Sequence, residues 1–128
     1  MTKELDQLLF DKFKFFKPER PMSEALMCFG FNVGDGWFSL LWNLCNKIDK
    51  IEKPENFEVV QVKEKFGGLR FYTNYTNEEI SKLIRKAEEI SYKICDRCGA
   101  PGKVQGVGWI VTLCDDCFKE REKERSGK

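Results

Sequence analysis

Four cysteines stand as two pairs, Cys95-x2-Cys98 and Cys114-x2-Cys117, with 15 residues between the pairs. Two residues between thiols let both sulfurs of a tight turn face one ion. Two such turns complete a tetrahedral thiolate shell. Gly99, directly after Cys98, suits the turn of a metal knuckle. The pattern predicts one Zn2+ in a structural role, because a closed four-thiolate shell leaves no position for a reactive water. The chain has no histidine. That removes imidazole bases, Ser-His and Cys-His nucleophiles, and zinc sites with a His ligand. No nucleophile motif takes their place, so binding is expected in preference to catalysis. Cys28 and Cys45 lie in or beside apolar stretches and are expected to be buried fillers.

A second group of residues could bind an anion. Residues 57–66 and 69–75 have strand character, and Gly67-Gly68 between them signals a two-residue turn. That turn would pair Phe66 with Leu69, Lys65 with Arg70, Glu64 with Phe71 and Lys63 with Tyr72. One face then holds Val60, Val62, Phe66, Leu69 and Phe71, with Glu64 among them. The other holds Gln61, Lys63, Lys65, Arg70, Tyr72 and Asn74. Like charges directly across a sheet repel. Lys63, Lys65 and Arg70 beside a Tyr72 hydroxyl therefore form either a merely soluble face or a site for a phosphate, a nucleotide or an acidic partner surface.

Gly34-Asp35-Gly36-Trp37 precedes the strongest amphipathic segment, where Trp37, Leu40, Leu41, Leu44, Ile48 and Ile51 share one face. Asp35 is a natural N-cap for that helix. The loop is either a capped turn with Trp37 in the core, or a ligand loop with Trp37 as a stacking plate. The ligand reading gains if the loop lies beside the cationic face.

The elements that must position these residues follow from periodicity and breakers. Leu5, Leu9, Phe13 and Phe16 give a helix over residues 3–16, ended by Pro18 and Pro21. Residues 22–29 form a short apolar stretch that Ser23 could cap. Thr76-Asn77-Glu78-Glu79 reads as a capping box. The helix after it places Ile80, Leu83, Ile84, Ala87, Ile90 and Ile94 on one side and runs into Cys95. Between the cysteine pairs a hairpin is expected, and after Cys117 a helix. The expected fold is α+β: amphipathic helices packed on a short antiparallel hairpin, then a treble-clef-like or ribbon zinc finger. A division into residues 1–94 and 95–128 follows.

Charge narrows the partners. The chain of 128 residues has 22 Lys and Arg against 21 Asp and Glu, a net charge of +1. That is not the balance of a strongly basic nucleic-acid binder. From Cys95 onward seven cations face six acids. Four thiolates around Zn2+ would bring that module near a net charge of about −1. Trp109 in the expected zinc hairpin could stack on a base, or serve as the module's own small core. No apolar run approaches the ~18 residues of a membrane span. The N-terminal residues lack a signal-peptide apolar core, so a cytoplasmic protein with reduced thiols and no membrane partner is expected.

The Gly34–Trp37 loop, the block Gln61-Val62-Lys63-Glu64-Lys65-Phe66-Gly67-Gly68-Leu69-Arg70-Phe71-Tyr72 and the Cys95/Cys98/Cys114/Cys117 pattern together resemble an uncharacterised family of small bacterial and bacteriophage proteins. The resemblance spans residues 30–118. It implies a bacterial or phage setting, where a protein of this size commonly inhibits a host factor or sequesters a signalling nucleotide. The expected function is a non-enzymatic zinc protein. Asp35, Trp37, Lys63, Lys65, Arg70 and Tyr72 would bind an anionic, nucleotide-like ligand or a host protein, with nucleic acid as the alternative partner.

Overall fold

A computed structural model describes residues 1–127. The architecture is α+β, with four α-helices and two small antiparallel hairpins in the order α1 (Lys3–Lys12), α2 (Phe38–Asp49), β1 (Val59–Lys65), β2 (Gly68–Thr73), α3 (Glu78–Ser91), β3 (Lys103–Gln105), β4 (Val111–Leu113) and α4 (Asp115–Ser126). No helix among the described residues is long and apolar enough to cross a membrane.

Helix boundaries differ from the periodicity reading where local chemistry overrides it. α1 stops at Lys12, short of residue 16. Phe13, Phe15 and Phe16 are all buried, with ring centroids 5.2–6.5 Å apart. Such closely spaced residues cannot share one helical face, so the chain straightens to bury them. Of residues 22–29, residues 22–24 form a turn closed on Pro21 O, and only Met27–Phe29 is helical, as a single 3-10 turn. Cys28 lies exposed there, contrary to expectation, whereas Cys45 is buried on α2. α3 is capped one residue later than the capping box implies: Asn77 Oδ1 accepts from Ile80 N–H at 2.9 Å. It ends at Ser91, and a short irregular link leads to Cys95.

The core gathers Leu40, Leu41, Leu44, Cys45 and Ile48 of α2, Val59, Val62, Leu69 and Phe71 of the first hairpin, and Ile80 and Ala87 of α3. The β1–β2 register is Lys65↔Gly68, Glu64↔Leu69, Lys63↔Arg70, Val62↔Phe71 and Gln61↔Tyr72, with a bulge before Val59↔Thr73. The turn is therefore Phe66-Gly67 and not Gly67-Gly68. Both turn residues have positive φ, 54° and 85°. The primed two-residue turn requires this, although a bulky residue there costs about 1–2 kcal/mol.

Gly68 lies in the strand, where the Tyr92 ring requires glycine: a Cβ there would lie 2.3 Å from it. Moving the turn by one residue shifts every cross-strand partner by two. Each strand residue consequently keeps its face. Lys63, in place of Lys65, now opposes Arg70. Phe66 leaves the core side altogether and stands exposed at the turn.

Both edges of the first hairpin are partly covered. Along β1, Val59 N–H donates to Phe15 O, Glu64 N–H donates to Asn32 O, and the carbonyls of Val60 and Val62 accept from Leu26 and Asn32. Along β2, α3 supplies side-chain acceptors in place of a strand. Ser91 Oγ accepts from Leu69 N–H at 2.9 Å, and Glu88 Oε2 accepts from Phe71 N–H at 3.0 Å. This arrangement fixes the hairpin to α3. Ser91→Ala leaves the buried Leu69 N–H unpaired, and urea unfolding should show a loss of about 1–3 kcal/mol; an unchanged midpoint would contradict the edge-capping role.

Candidate metal centre and cationic sheet face

The metal centre is assembled from a turn and a helix end. After α3, Cys95 to Gly99 folds into a knuckle in which Gly99 N–H donates to Cys95 O at 3.0 Å and Gly99 has φ 82°. Hairpin β3–β4 follows. Cys114 then caps α4, its Sγ accepting from Cys117 N–H at 3.4 Å. Knuckle, hairpin and a helix carrying the second pair are in the treble-clef order.

The four Sγ atoms of Cys95, Cys98, Cys114 and Cys117 all lie within 4.8 Å of one another. Cys98 and Cys114 sulfurs are 3.7 Å apart. That is far beyond a disulfide and close to the ~3.8 Å edge of a tetrahedron with Zn–S bonds near 2.3 Å. The donor set therefore fits one four-coordinate metal ion. Burial opposes ionisation of Cys95, but backbone N–H groups of Cys114, Cys98 and Arg97, together with the Cys98 thiol, bring its pKa down to about 7. Arg97 straps the knuckle to α4 through a two-pronged contact with Glu124, at 3.2 and 3.1 Å. That contact, with the nearby Cys117 and Cys95 sulfurs, favours its charged form further.

The glycine loop belongs to this centre. Gly34 N–H donates to Asp96 Oδ1 at 2.7 Å, Gly36 N–H to Asp96 O at 2.8 Å, and Trp37 Nε1 to Ile94 O at 2.8 Å. A Cβ at Gly36 would lie 2.1 Å from Cys95 O, so only glycine permits the approach. Trp37 is fully buried and presents no stacking surface. Asp35 does not cap α2; its carboxylate accepts from Thr2 N–H at 2.8 Å. The loop passes near the sheet, since Asn32 bridges to Lys63, but its polar groups turn to the knuckle. Asp35 and Trp37 are thereby separated in role from Lys63, Lys65, Arg70 and Tyr72.

Those last four residues do share one side of the first hairpin. Lys63 and Arg70 are direct cross-strand neighbours. Lys63 Nζ lies 6.0 Å from the Tyr72 ring centroid, and Lys65 Nζ 5.6 Å from that of Phe66. Arg70 Nη1 donates to Leu69 O at 3.0 Å and to the Tyr92 hydroxyl at 3.3 Å, leaving Nε and Nη2 without partners among the described residues. No carboxylate among the described residues forms an ion pair with Lys63, Lys65 or Arg70. Glu64, on the opposite side, spends Oε2 on the turn, accepting from Gly67 N–H at 2.7 Å.

Sequence reasoning passed over two features. Phe66 is a prominent exposed ring of the face, hidden by the misplaced turn. The other is a cleft of about 550 Å³ between the hairpins, lined by Glu64, Asp96, Arg97, Trp109, Arg121 and Arg125 among others. Trp109 is 67% exposed and does not form a miniature core. The Arg121 guanidinium sits 5.7 Å from its ring centroid. Gly106 and Gly108, both at positive φ, were the available hint of a protruding loop.

No family model, curated protein or solved structure matches the chain. Native mass spectrometry should find one zinc per chain, lost in Cys98→Ser; a folded wild type without metal would contradict the metal centre. Gly36→Ala should weaken metal retention against a competing chelator by about tenfold or more, because it forces the loop off the knuckle.

Proposed function

We propose that the protein is a non-enzymatic binding protein, stapled by a structural zinc ion, that captures an anionic ligand or partner on the Lys63/Lys65/Arg70/Tyr72 face. The observation that carries this reading is the juxtaposition of Lys63 and Arg70 across one antiparallel pair, with no carboxylate among the described residues in ion-pair contact with either. Like charges placed there destabilise a sheet. Glu64 and Glu88 each give a carboxylate oxygen to a backbone N–H group, and Glu88 supports the Arg70 charge from a distance without forming an ion pair with it. A fold optimised for stability alone would pair them.

A bound anion would relieve that repulsion and gain charge-assisted hydrogen bonds from the free edge of the Arg70 fork. The zinc centre contributes by fixing shape, since four thiolates close the shell against substrate. The absence of histidine throughout the chain supports binding over turnover. The bacterial or phage setting implied by sequence resemblance agrees with a small protein that acts by occupancy.

Inorganic polyphosphate should raise the thermal midpoint at low salt, with the effect fading as salt increases. Lys63→Ala combined with Arg70→Ala should abolish the rise and leave metal content unchanged. A midpoint insensitive to polyphosphate, or a response that survives the double substitution, would sink this reading.

A further inference from the structure

We propose that the anion this face takes is single-stranded nucleic acid, with Phe66 as a stacking plate; the proposal rests on the anion-binding reading of the same face. Phe66 is the starting observation. It occupies the first position of the turn at φ 54°, where Asn or Gly would be less strained. Its ring is 66% exposed, so core burial does not offset the strain. A strained, solvent-facing aromatic residue points to a surface task.

Its surroundings identify the task. Lys65 lies against the Phe66 ring and Lys63 against the Tyr72 ring, with Arg70 opposite Lys63. Tyr72 is itself 41% exposed. From the Tyr72 row to the turn the face therefore runs Tyr72, the Lys63/Arg70 pair, Lys65 and Phe66, a row of cations with an aromatic ring at each end. Single-stranded nucleic acid matches this order, with phosphates along the cations and a base face at each ring.

Alternate residues of a strand lie about 6.7 Å apart, which sets Lys63 and Lys65 in a row that an extended backbone can follow. Tyr72 stands level with residue 61, five strand residues or roughly 17 Å from the Phe66 turn, a span longer than one nucleotide covers. That favours a strand over a mononucleotide. A duplex keeps its base faces stacked inside and gives the rings nothing to cover.

The test uses the zinc-loaded full chain and fluorescence anisotropy at low salt. The probes are a labelled oligothymidylate, the same sequence as a duplex, and inorganic polyphosphate as competitor. The single strand should bind more tightly than the duplex, with a salt slope near −2 for about three phosphate contacts. Phe66→Asn suits the turn better than phenylalanine, so its thermal midpoint should be equal or higher. Its single-strand affinity should fall about tenfold, while polyphosphate binding stays unchanged. Tyr72→Thr should give a loss in the same direction.

If polyphosphate and duplex compete equally with the single strand and Phe66→Asn changes nothing, the nucleic-acid assignment falls and the anion reading survives. If no probe binds, both fall. If Phe66→Asn lowers the melting temperature, the ring is structural and the stacking role is overturned.

Discussion

The structure depends on one close backbone approach. Gly36 meets the knuckle so tightly that its N–H reaches Asp96 O and any side chain would collide with Cys95 O. Through this contact the metal turn and the α2 core become a single packing problem. Trp37, one residue on, is buried and bonded to Ile94 O. A second junction reinforces the first: Thr112 of β4 donates its hydroxyl to Gly67 O in the turn of the first hairpin. The four-cysteine module thus braces both the start of α2 and the tip of the sheet. The segment from Cys95 onward buries few apolar side chains of its own, so a metal there would replace core that this module lacks.

The same economy explains why the hairpin can carry a repulsive, strained surface. Lys63 faces Arg70 with no ion pair to either among the described residues, and Phe66 sits in a left-handed turn position. Each lowers stability. The costs are tolerated because the sheet is held at both edges and at its turn: Phe15, Leu26 and Asn32 bond to β1, Ser91 and Glu88 bond to β2, and Thr112 holds the turn. Rigid support beneath an unfavourable surface is what a preformed binding face requires.

Much of this was legible in the sequence, and the limits have physical causes. The Cys95/Cys98/Cys114/Cys117 spacing carries its own geometry, so the metal centre could be read directly. α2 and the membership of the two sheet faces followed from periodicity. The turn could not be placed, because two adjacent glycines both permit positive φ, and Gly68 is instead needed as glycine by the Tyr92 ring that packs over it. Since a one-residue turn shift preserves strand parity, the cationic face survived the error while Phe66 was lost from view. Of the two readings of the Gly34–Trp37 loop, Trp37 in the core is the one the structure has, but Asp35 does not cap α2, and the loop's partner could not be read because it lies about sixty residues on, at Asp96. Cys28 looked buried in an apolar run, but the brief turn at Met27–Phe29 points it outward.

The central claim is that the working surface is the first hairpin's cationic face, with the metal centre as its support. Amide chemical-shift mapping of the labelled, zinc-loaded protein during titration with oligothymidylate tests it most directly. The account predicts perturbations concentrated on residues 61–72, with the amides around Cys95, Cys98, Cys114 and Cys117 nearly unmoved. A map centred instead on the metal knuckle and the Trp109 cleft would contradict it.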